Sequence, residues 1–176
     1  MNNTLDRFLI AQEHSYDTAL REIRAGRKRS HWMWYIFPQI AGLGMSYTAQ
    51  LYSIADIDEA RRYIEHPVLG ERLIEISRAL LTLESSDAGA VMGYPDDLKL
   101  RSCMTLFAQV SDDPVFKAVL DKFYGGRADT RTLELLGLTY CAQINRKFTR
   151  YFLTIRELTF VPFADIVLSV VFLGLA

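Results

Sequence analysis

Apolar residues recur at three- and four-residue spacing from Leu5 to Leu136, and capping residues, glycines and prolines cut that pattern into short segments. A period near 3.6 builds helices with one buried stripe each. Short helices joined by brief polar turns pack as a compact all-α single domain rather than as a long bundle. The first stripe, Leu5, Phe8, Leu9, Gln12, Tyr16, Ala19, Leu20 and Ile23, predicts one helix from about Leu5 to Ala25, capped by Thr4 and stopped at Gly26. Ser46 predicts the start of a helix reaching about Ser53, and Asp56 that of one over Ile57 to Glu65. Pro67 suits the first position of the next, whose stripe is Leu69, Leu73, Ile76, Leu80 and Leu83. After the break at Gly93, Pro95 opens a helix with Leu98, Cys103, Leu106, Phe107 and Val110 turned inward. Asp113-Pro114 opens another that ends at Gly125-Gly126, and Asp129 or Thr130 caps a last turn. Strand signals are scarce before Gly137.

With 176 residues, half of them hydrophobic, the chain can bury the core of one domain. Its net charge of -1 gives no global pull toward nucleic acid or an acidic membrane, so neither is an expected partner. Cys103 and Cys141 stand far apart, with no CxxC spacing and no paired histidines, so no metal site, redox pair or cofactor is expected. No basic-then-apolar leader opens the chain, and the expected compartment is the cytoplasm. Composition changes at Gly137: residues 1–137 read as the helical domain, and 138–176 as a basic-then-apolar tail. Three readings of the tail stand: an element packed on the domain, a dispensable appendage, or a membrane tail anchor. Its length and Asp165 oppose the last.

The stretch Arg27 to Gly44 has no clean period and is punctuated by Pro38, Gly42 and Gly44, which predicts an irregular loop with one short helical turn. Arg27-Lys28-Arg29 is the densest cationic point in the chain, and both tryptophans, Trp32 and Trp34, follow His31 directly. Either the cations form a solvated end to the first helix and the rings are core, or the loop lines a pocket. Lys28 and Arg29 would then meet phosphate, Trp32 and Trp34 would stack on a ring, and Gln39 would add a polar contact. Asp97, Lys99 and Arg101 open the helix after Pro95, where Asp97 and Arg101, at i and i+4, suit a surface pair. If that face meets the loop, Lys99 and Arg101 join the binding group, and His31 with Asp97 become candidates for proton transfer. His14 and His66 read as structural.

The words RAGRKRSHWMWYIFPQIAGLGMS, YSIADIDEARRYIEHPVLGERL, DDLKLRSCMTLFAQV and FYGGRADTRTLELL together resemble the bacterial family known as domain of unknown function 1810 (DUF1810), from about Asp6 to Leu136. The resemblance implies a small, mainly α-helical cytosolic domain and brings no activity with it. After Gly137 the chain departs from the family pattern. A looser similarity, carried by Leu69-Gly70-Glu71-Arg72 and the Lys-bearing helix that follows, is to helical enzymes that cleave N-glycosidic bonds. The leading functional expectation is therefore binding, with hydrolysis as an extension, of a nucleotide or ADP-ribose-like, phosphate-bearing small molecule. The alternative is a noncatalytic protein-interaction module, in which the aromatic loop is half core and half docking surface.

Overall fold

A computed structural model describes residues 5–138, which fall, save Leu138, within the unit Met1–Gly137. The readings of the tail and of Thr4 as a cap lie outside the described residues. Ten helices and no strand occur among those described: α1 (Asp6–Gln12), α2 (Tyr16–Arg24), α3 (Met33–Ile36), α4 (Tyr47–Leu51), α5 (Ile57–Glu65), α6 (Leu69–Thr82), α7 (Ala88–Met92), α8 (Asp96–Phe107), α9 (Val115–Tyr124) and α10 (Thr130–Leu135). The all-α reading holds.

Where the single first helix was expected there are two. Ser15 breaks it, donating its hydroxyl to the Ala11 carbonyl at 2.6 Å while its own amide bonds Gln12, a local competition with the helix ladder. The break turns α1 onto α3 and α2 onto α6, yet the stripe stays inside: Phe8, Gln12, Tyr16, Ala19, Leu20 and Ile23 are all buried. The buried Gln12 amide donates to the Tyr35 carbonyl and the Tyr63 hydroxyl, at 2.7 and 3.0 Å.

The caps at Ser46, Asp56 and Asp129 each accept from the amide three residues on, as the sequence predicts. α6 starts two residues later than Pro67 suggests. His66 ends α5, and its Nδ1 receives the Val68 and Leu69 amides at 3.2 and 3.4 Å, so this histidine is structural. α5 and α6 approach so closely that a Cβ on Gly70 would overlap the Ile64 carbonyl oxygen. α7, capped by Asp87, has no counterpart in the sequence reading, because Ala88-Gly89-Ala90-Val91-Met92 is too short for a stripe. In α8 Cys103, Leu106 and Phe107 are buried as expected, together with Leu100 and Met104, whereas Leu98 is exposed. Two residues on a helix turn through roughly 200°, which carries Leu98 to the far side from Leu100.

A chain of rings crosses the core. Phe8 meets Tyr63 edge-on at 5.0 Å, Tyr63 meets Phe107 at 5.3 Å, and Phe107 meets Phe116 at 5.8 Å, spacings at which aromatic pairs attract beyond their area burial. Lys122 of α9 reaches the last carbonyls of α6, donating to Leu80, Leu81 and Leu83. Among the described residues no helix is long and apolar enough to cross a membrane.

Candidate functional site

The loop between α2 and α3 is shaped by one carboxylate that the sequence does not single out. Glu22 lies in the last turn of α2, and Gly26, at φ 77°, turns the chain back over it. The carboxylate accepts the amides of Arg29 and Ser30 at 2.8 and 3.1 Å, the Ser30 hydroxyl, and the Trp32 indole N–H at 2.8 Å. Burial works to raise its pKa, but these four donors outweigh it and hold the group at about 2 instead of 4.5.

The loop so held meets the start of α8. The Lys28 amide bonds the Val91 carbonyl of α7 at 2.7 Å, which places the Lys28 ammonium 2.7 Å from Asp96 Oδ2. Lys99 reaches the other oxygen of the same carboxylate, also at 2.7 Å. Each ammonium lies against an indole, Lys28 at 5.1 Å from the Trp32 ring centre and Lys99 at 4.8 Å from that of Trp34, within the range of cation–π attraction. Burial opposes ionisation of Asp96, yet the bonds and charges of the two lysines prevail and its pKa is lowered. The expected meeting of the aromatic loop with the helix after Pro95 is thus present.

Several residues play a different part from the one the sequence suggests. Trp32 is only 1% exposed and packs beside Phe37 at 6.1 Å, so it offers no face to a ligand. Lys28, its side chain 9% exposed, is committed to Asp96 and to the Ser30 carbonyl. It is neither a solvated end to the helix nor an open cation. Asp97 and Arg101 do not pair. Arg101 donates to the Arg127 and Ala128 carbonyls at 2.9 and 2.7 Å, clamping the turn before α10, because those carbonyls lie nearer than its i−4 carboxylate.

Asp97 Oδ1 is buried with no hydrogen-bond partner, and its backbone carbonyl takes the Tyr124 hydroxyl at 2.6 Å. No hydrogen bond joins Asp97 to His31. Three residues stay open toward solvent. Arg29 and His31 are exposed and Trp34 is half-buried. Gln39 serves chiefly through its backbone, which accepts the Ile54 amide at 2.8 Å beside the Ile40–Ile54 bridge. Tyr94, largely exposed, stands two residues before Asp96. An open groove of about 670 Å³ lies elsewhere, between α2 and α6, and includes the Arg24–Glu75 ion pair.

These features describe a small multi-helical domain with an indole-framed charge cluster where a loop crosses a helix start. The chain belongs to the family described as "Protein of unknown function (DUF1810)", which matches residues 2–136. It is similar to a solved structure, the conserved hypothetical protein Rv1873 from Mycobacterium tuberculosis, with 46% sequence identity and a TM-score of 0.74, covering 77% of this chain and 97% of that one. No curated protein matches. Neither description names an activity.

Proposed function

We propose that the outer face of this cluster binds a small anionic molecule with a planar ring, of the nucleotide or ADP-ribose kind. The observation that carries the reading is the sharing of one carboxylate, Asp96, by two ammoniums, Lys28 and Lys99. Within this trio two positive charges meet one negative, and the Lys99 ammonium lies over the half-buried Trp34. Arg29 and Lys99 are the cations for phosphate, Trp34 the ring for stacking, and exposed His31 a polar contact. Lys28, Asp96 and Trp32 position them from beneath. The proposal is one of binding, since nothing pairs His31 with Asp97 for proton transfer. The alternative, an interaction module, is favoured by a different surface, the exposed side chains around α4.

Calorimetric titration with ADP-ribose, mononucleotides and inorganic phosphate tests the proposal. Affinity should fall as salt rises, because exposed charge attraction is screened over about 8 Å at physiological ionic strength. Replacing Arg29 and Lys99 with Ala removes charge-assisted hydrogen bonds worth roughly 1.5–3 kcal/mol each, and affinity should fall by at least about tenfold. Trp34→Ala should weaken binding with little change in salt dependence. Trp32→Ala should instead cost about 3–5 kcal/mol of stability. Absence of binding tighter than about millimolar, the regime of about 4 kcal/mol, sinks the reading.

A further inference from the structure

The carboxylate at the centre of the cluster sets the charge that an incoming anion meets. Asp96 stands in the first turn of α8, and each of its oxygens lies 2.7 Å from an ammonium, Lys28 on one side and Lys99 on the other. Its side chain is 17% exposed and that of Lys99 22%. Charges so far withdrawn from water are screened less than surface pairs, so an anion that meets Lys99 from outside also feels the carboxylate behind it.

Neither ammonium depends on Asp96 alone for its place. Lys28 also donates to the Ser30 carbonyl at 2.7 Å and lies against the Trp32 ring, while its amide is fixed to the Val91 carbonyl. Lys99 rides on the same helix as Asp96 and lies against the Trp34 ring. Lys99 donates to Asp96, and an ammonium has three donors, so it can take a ligand oxygen without leaving the carboxylate. An oxygen bound there lies within about 6 Å of Asp96, two hydrogen-bond lengths at most.

Resting on the reading that this face binds a phosphate-bearing ligand, we infer that Asp96 is a built-in counter-ion that restrains anion binding, and that Lys28 promotes binding without touching the ligand. Like charges oppose one another across those few ångströms in proportion to the charge on the ligand. A carboxylate that only placed the lysines would act the other way, since its loss would loosen them. The two indoles and the Ser30 carbonyl keep the lysines in place, so the charge decides. The ligand that gains most from the net positive trio is a terminal phosphate monoester, a dianion above its second pKa of about 6. A phosphate diester, with one charge per phosphate, gains less.

Calorimetric titration of the full chain at about pH 8, where the monoester is a dianion, compares adenosine monophosphate with its phosphate methyl ester, which keeps the ring and loses one charge. Wild type should prefer the monophosphate. Asp96→Asn keeps the shape and deletes the charge, so affinity should rise about threefold for the methyl ester and about tenfold, the square of that, for the monophosphate. Lys28→Met should lower both by about the same factors. Asp96→Glu keeps the charge and should show no gain. Melting curves should place Asp96→Asn and Lys28→Met below the wild type, because each breaks a part-buried ion pair. In Asp96→Asn, affinity and stability then move in opposite directions. Binding that weakens equally for the two ligands in Asp96→Asn overturns the inference and leaves the reading of the face intact. Should that variant not fold, Lys28→Met decides by itself: equal losses for the two ligands overturn the inference. If neither ligand binds the wild type or Asp96→Asn, the face is no phosphate site and the inference falls with that reading.

Discussion

Glu22 has more bonding partners than any other side chain around the loop, and all of them come from Arg29, Ser30 and Trp32. Its folded pKa, about 2, lies below the ordinary 4.5. A depressed carboxylate adds stability that is fully present above its unfolded pKa and is lost as pH falls through the folded one. The window is thus between about pH 4.5 and 2. Asp96, also lowered, loses its contribution in the acid range as well, so Glu22 accounts for part of the acid sensitivity only. Melting temperatures recorded from neutral pH to pH 2 should show Glu22→Gln well below the wild type at neutrality and close to it at the acid end. Parallel curves would mean that the four donors do not favour the charged form.

Among the elements, α5 and α6 show how a helix contact can be set by what is missing. Ala is the better helix former than Gly by about 1 kcal/mol, so Gly70→Ala in the first turn of α6 would stabilise an isolated helix. Here the added methyl runs into the Ile64 backbone, and forcing the helices apart costs typically 1–3 kcal/mol. Urea unfolding should find the variant less stable; a gain in stability would show that the two helices can separate at no cost.

The same pair of elements marks the reach of the sequence. α5 was legible end to end, because Asp56 caps it and His66-Pro67 stops it, both local signals. The start of α6 was not, because His66 takes over the amides that Pro67 was expected to precede. The break at Ser15 was hidden for a related reason: the stripe continues through it, so periodicity alone reads one helix. At the site, the loop, its short helical turn and its approach to α8 were foreseeable from the density of charge and rings. The partners were not. Lys28 finds Asp96 across 68 positions, a pairing that spacing does not record. The sequence leaves Trp32 open between core and ligand platform, because an irregular loop has no period to show which ring points inward; the structure buries it.

At the scale of the domain, the bonds from Lys122 to the end of α6 span 39 to 42 positions. The last carbonyls of a helix have no partner within it, and here another helix supplies one. Such a clasp cannot exist until α6 and α9 have docked, so it is absent early in folding and must be broken early in unfolding. Stabilisation made late resides in the unfolding rate. With hydrogen bonds to a charged group worth about 1.5–3 kcal/mol, Lys122→Met should speed unfolding by about tenfold or more in a denaturant chevron and leave the folding arm nearly in place. An equal shift of the folding arm would place the clasp in the folding nucleus instead. One ammonium thus governs how long the domain persists once formed, and has little say in how quickly it forms.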